Sequence, residues 1–169
     1  MVAVLHNKES MARKKTSARA DSDVMVRREI DAPRGLVFEA WIEPRHLCQW
    51  WGPHGFTNLR CELDVRQGGA IRIDMRGPDG TVYLMGGFYE EVVVPDRLVF
   101  STSPLDSLDH SLLDVLNTVL FENDGHKTML TVQAHVLRST EESAPYLQEM
   151  ESDWKESLER LDSYLGTLR

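Results

Sequence analysis

The spacing of apolar residues changes twice along the chain. In "VMVRREI" (24–30), Val24, Val26, Arg28 and Ile30 share one face, which predicts a strand. "DAPRGLVFEAW" (31–41) opens a helix: Asp31 can cap it, Pro33 suits its first turn, and Leu36, Val37, Ala40 and Trp41 form its stripe. Glu43-Pro44 breaks that helix, "PRHLCQWW" reads as a second short one, and Gly52-Pro53 ends it. From residue 57 the period becomes two. Leu59, Cys61, Leu63 and Val65 alternate with Arg60, Glu62 and Asp64, and Ile71, Ile73 and Met75 alternate with Arg72, Asp74 and Arg76. Strands follow at "TVYLMGGFYEEV", with Gly86-Gly87 as a bend or bulge, and at 98–103. Residues 104–114 read as a loop, and 115–123 and 127–136 as a hairpin about Asp-Gly-His. Near residue 146 the period becomes helical. Leu147, Met150, Trp154, Leu158, Leu161 and Leu165 fall on one face of a helix about twenty residues long.

The predicted order is β–α–α–β–β–β–β–β–β–α, an α+β chain. Consecutive antiparallel strands make a meander. The amphipathic last helix must bury its stripe against the one large apolar surface available, the inner face of that sheet. A curved sheet wrapped around one helix leaves a space between them.

Composition narrows the function. The chain has 169 residues, a formal net charge of −8 and no apolar run long enough to span a membrane, so neither nucleic acid nor membrane insertion is expected. Residues 1–20 carry five basic side chains against Glu9, a net of +4, which leaves −12 for the remainder. Residues 1–22 therefore read as a basic, flexible tail, with Met1 and Met11 both open as starts, and 23–169 as one domain. The N-terminal charges follow the short apolar run, unlike a secretory signal, so a cytoplasmic location is expected. Cys48 and Cys61 make no disulfide framework and read as buried thiols. No nucleophile elbow, zinc-protease motif or phosphate loop occurs, so no cofactor is expected. The histidines at 6, 46, 54, 110, 126 and 135 lack ligand spacing, and no metal is assigned. Arg28 shares a strand face with Val26 and Ile30, and needs a partner such as Glu91 or Asp64.

"REIDAPRGLVFEAW" (28–41), "CQWWGP" (48–53), "LDVRQGGAIRIDMRGPDGTVY" (63–83), "GFYEEVVVPDRLVFS" (87–101), "LTV" (130–132) and the Trp154–Leu165 stripe carry a resemblance. Over residues 24–166 the chain resembles bacterial homologues of the activator of heat shock protein 90 ATPase, within the START-like, helix-grip superfamily. The resemblance implies a helix-grip fold and an internal cavity. It departs at Asp153, where members often place Gly before the tryptophan.

Trp50 and Trp51 lie about 100° apart on a helix, so they cannot point the same way. Either one fills core while the other closes the cavity, or both fill core. The candidate lining is Trp50 or Trp51, His54, Phe56, Ile73, Met75, Tyr83, Met85, Phe88, Phe121, Met129, Trp154 and Leu158. Which alternate residues face inward depends on register. The methionines at 75, 85 and 129 suit an adaptable wall. Three functions follow: a domain binding a small hydrophobic or amphipathic molecule, which leads; an enzyme of cyclase or hydrolase type; and a protein-interaction module, with a protein partner or homodimer.

Overall fold

The computed structural model describes residues 23–168, so the expected basic tail lies outside the described residues. Strand β1 (Val24–Ile30) leads to helices α1 (Arg34–Ile42) and α2 (Pro44–Trp50). Six strands follow: β2 (Thr57–Leu63), β3 (Ala70–Arg76), β4 (Val82–Val93), β5 (Arg97–Leu105), β6 (Leu113–Asp124) and β7 (Lys127–Ser139). A single 3-10 turn precedes α3 (Ala144–Thr167). All strands pair antiparallel in one sheet of order β1-β7-β6-β5-β4-β3-β2. This is the expected helix-grip arrangement, a curved sheet around the last helix.

The stripe of α3 is buried at Met150, Trp154, Leu158, Leu161 and Leu165. It packs on the inward residues of the sheet, among them Val26, Ile30, Val119, Phe121, Leu130 and Val132. Arg28 supplies a polar tie. Its guanidinium donates to Asp162 Oδ2 of α3 at 3.1 and 3.3 Å, and the Asp31 backbone N–H donates to the other oxygen at 3.3 Å. The partner is thus Asp162, not Glu91 or Asp64, because β1 lies at the sheet edge under α3, six strands from β2.

Three strand expectations are corrected by register. Leu59 is exposed because the β2–β3 pairing slips between Asn58 and Arg60, which turns Asn58 inward instead. Phe88 is 55% exposed: Met85 and Tyr89 are the buried residues of β4, which places Phe88 on the outer face. Met129 pairs with Glu29 and Glu122 on the outer face, since Thr128 and Leu130 point inward. The segment read as a loop from 104 is partly strand: β5 continues through Pro104 to Leu105, and Leu105 bridges Ser111. Helix α1 begins after Pro33 without a side-chain cap, in place of the Asp31 cap expected.

The glycine pair is not a bulge; the slip in β4 comes later, between Tyr89 and Glu91. Gly87 marks a close approach of two backbones. A Cβ there would sit 1.9 Å from the Ser101 carbonyl oxygen of β5. Gly35, in the first turn of α1, has nothing within 4 Å of such a Cβ. Gly87→Ala is expected to lower stability by about 1–3 kcal/mol through overpacking. Gly35→Ala is expected to raise it by up to about 1 kcal/mol through helix propensity. Urea titration of the two variants checks both signs.

Candidate functional site

The adjacent tryptophans divide their roles. Trp50 is fully buried, and its indole N–H donates to the Ala40 carbonyl of α1 at 3.0 Å. It packs edge-on against Trp41 at 4.8 Å. Trp51 caps the C-terminus of α2 with extended backbone, so its ring leaves the helix direction and meets Trp154 of α3 edge-on at 5.5 Å. On one side of Trp51 lies a gap of about 10 Å³, lined by residues such as Trp41, Ile73, Tyr89 and Phe100. On the other lies a cavity of about 150 Å³. A cavity needs roughly 10–15 Å³ of such space to hold one water, so the first is at that limit and the second is many times larger. Trp51 is the partition between them.

The wall at this end is held by polar bonds. A helix end leaves its last carbonyls without intrahelical partners. Here side chains from two other elements supply them. Asn58 of β2, turned inward by the slip at Leu59, donates to Cys48 O at 3.0 Å and Trp51 O at 2.9 Å. Arg160 of α3 donates to Trp51 O, Gly52 O and Pro53 O at 3.0, 2.9 and 3.0 Å. Burial of this guanidinium lowers its pKa from the ordinary value. His54 stands outside: its backbone N–H donates to Glu156, and its ring pairs with Glu159 at 3.0 Å.

The large cavity is open on one side and lies between the turn after α2, one end of β3 to β6 (the end of β3 and β5, the start of β4 and β6) and one stripe of α3. The turn contributes Trp51, Gly52 and Pro53; the strands contribute Met75, Tyr83, Leu84, Met85, Thr102, Pro104, Leu113, Val115 and Asn117. The α3 stripe is Tyr146, Met150, Asp153, Trp154 and Ser157, spaced at helical intervals. Most of this surface is apolar or aromatic.

Two polar groups break the pattern. Asn117 is fully buried in the run Val115-Asn117-Val119. Its Nδ2 donates to Phe100 O at 3.2 Å and Thr102 Oγ1 at 3.0 Å. The carbonyl of Phe100 can only accept, which fixes the amide orientation. Its Oδ1 then has no hydrogen-bond partner among the described residues. A buried orphan acceptor of this kind costs about 1–3 kcal/mol. The second group is Asp153, which sits in the apolar stripe of α3. Burial raises its carboxyl pKa from 3.8 to about 6, with smaller contributions from Glu149 and Glu156. Tyr146 is raised as well, mainly by burial and then by Tyr83.

Of the residues proposed from sequence, Trp51, Met75, Tyr83, Met85 and Trp154 come together around the cavity. Ile73 lines the small gap, and Trp50, Phe121 and Leu158 are packed core. Phe56 leans on Tyr83 at 5.7 Å but does not reach the lining, and His54, Phe88 and Met129 face away. Sequence reasoning missed Asn117, Asp153, Tyr146 and Ser157, although each had a signal: one polar residue at an inward period-two position, and three on the apolar face of a helix. His46 and His54 share no ligand geometry, since His46 Nδ1 pairs with Tyr164 at 2.6 Å. Burial pushes the Cys61 thiol up to about 12, so it stays protonated at neutral pH.

A family profile described as Activator of Hsp90 ATPase homolog 1-like protein matches residues 31–166. No curated protein matches. Several solved structures share the fold. A protein of Arthrobacter aurescens is 25% identical, with a TM-score of 0.76 over 86% of each chain. An AHSA1 protein of Silicibacter pomeroyi is 23% identical, with a TM-score of 0.72 over 87% of this chain and 99% of that one. A protein of Nitrosomonas europaea is 21% identical, with a TM-score of 0.71 over 86% and 94%. No described helix is long and apolar enough to cross a membrane.

The raised pKa of Asp153 has a consequence for stability. The folded chain binds its proton more tightly than the unfolded chain does. The stabilisation this gives is complete below about 3.8 and is lost as pH rises through about 6. Asp153→Asn is therefore expected to shift the urea midpoint upward at pH 8 and to leave it nearly unchanged below pH 4. An equal shift at both pH values would show that Asp153 is not held in this environment.

Proposed function

Because the chain belongs to the family of Activator of Hsp90 ATPase homolog 1-like proteins, we propose that it binds a small hydrophobic or amphipathic molecule in its internal cavity. The observation that carries this reading is the space itself, about 150 Å³ between sheet and last helix, walled mostly by apolar and aromatic side chains. A close-packed core leaves no space of this size, whereas a small apolar guest would fill it. The methionines at 75 and 85 add walls that adjust to a guest. Trp51 and Trp154 add broad aromatic faces.

Neutral 1-naphthol should bind the native protein and quench tryptophan emission, because two indoles line the cavity. Ser157→Phe, which directs a phenyl ring into the cavity from α3, should weaken that binding at least about tenfold while cooperative unfolding is retained. Quenching of equal strength in the filled variant would place the probe elsewhere and defeat the reading.

A further inference from the structure

The chemistry of the cavity wall is one-sided. It lacks any lysine, arginine or histidine, and its only charged side chain is Asp153. That carboxylate has no hydrogen-bond or ion-pair partner among the described residues. The cations of α3 nearest to it are engaged elsewhere: Lys155 pairs with Glu151 at 2.8 Å, Arg160 with the three carbonyls after α2, and neither lines the cavity. The other ionisable groups around Asp153 are Glu149 and Glu156 on its own helix and, within the cavity, Tyr146 of α3 and Tyr83 of β4. His54, on the turn beyond Pro53, is paired with Glu159. On the opposite, strand side stands Asn117, whose buried Oδ1 has no hydrogen-bond partner among the described residues. Aromatic rings supply the remaining negative potential: Trp51, Trp154, Tyr83 and Tyr146 all contribute to the wall, and ring faces attract cations. Acceptors and π-faces are in surplus, and cationic donors are missing.

We propose that the cavity selects a cationic guest: a small apolar molecule bearing an ammonium group, its charge set against Asp153 and the surrounding aromatic rings. This inference rests on the cavity-binding reading above and specifies the ligand class. The guest supplies what the wall lacks, a positive charge and N–H donors. An anionic guest would meet Asp153, Glu149 and Glu156 with no compensating cation in the wall. The proposal also accounts for a charged residue on the apolar stripe of α3, a position that costs stability in the empty protein at neutral pH.

Three probes on one frame separate the outcomes: 2-phenylethylamine, 2-phenylethanol and phenylacetate, titrated by tryptophan emission and by calorimetry. At pH 8 the amine should bind at least about tenfold more tightly than the alcohol, the equivalent of one unit of carboxyl pKa displacement. Phenylacetate should bind most weakly. At pH 5, where a carboxyl of pKa about 6 is mostly neutral, the amine-to-alcohol ratio should fall toward one. Near pH 6, amine binding should release protons, seen as a calorimetric heat that varies with the ionisation enthalpy of the buffer. Asp153→Asn should collapse the ratio at pH 8, and Asp153→Glu should restore part of it. If the alcohol or phenylacetate binds as well as the amine at pH 8, the cation inference is overturned while the cavity reading stands. An amine preference that survives Asp153→Asn also overturns it. If none of the three binds, both fail.

Discussion

Seven strands spaced about 4.8 Å apart span roughly 29 Å, whereas a helix with its side chains is about 10–12 Å across. A lone α3 cannot cover such a sheet. Everything else in the molecule answers that mismatch. The sheet curves so that its inner face turns toward α3. Helices α1 and α2 cover part of the remainder with Phe38, Trp41, Leu47 and Trp50. What neither curvature nor the short helices cover, between β3–β6 and the first half of α3, is the cavity. It is a product of covering a wide sheet with narrow elements.

That origin explains why the cavity borders are aromatic. Only large side chains reach from a helix surface across such a gap. Trp41 sits at the centre, within 4.8–6.2 Å of the rings of Trp50, Trp51, Phe100, Phe121 and Trp154. The packed half of the interior ends at this cluster, and the open half begins at Trp51. The division depends in turn on the carbonyls at the end of α2, because the direction in which the chain leaves Trp50 decides where Trp51 points. Polar groups from β2 and α3 fix that direction, and an apolar wall is held in place by hydrogen bonds behind it.

Much of this was legible in the chain. The change from period two to period 3.6 located the strands and α3, because each element buries one face and the alternation records it. Inward residues of β3 and β6 follow directly from that rule. The failures came where the rule breaks locally. The slip at Asn58–Arg60 reversed the meaning of Leu59, and β4 and β7 presented large apolar residues, Phe88 and Met129, on their outer faces. Size and hydropathy alone then pointed to the wrong side. The polar part of the site was overlooked for the opposite reason. Asn117 and Ser157 are small, common residues whose significance lies in what surrounds them, and pairing across the sheet cannot be read from one strand. Asp153 was visible as a departure from the family pattern, but its meaning required the position of the helix face.

The bonds from Arg160 to Trp51, Gly52 and Pro53 also constrain motion. They weld the rim after α2 to the middle of α3, so two segments more than a hundred residues apart in sequence move as one body. Enlarging the cavity at that rim would break three hydrogen bonds to a partly buried cation at once. Tyr146 lies fourteen residues earlier on α3, roughly 21 Å along its axis. There the helix has only just begun and faces Tyr83 and Leu84 of β4 across the cavity. The two ends of the cavity are therefore fastened differently, the rim at Trp51 by a cation on backbone carbonyls and the far end by ring and aliphatic contact alone.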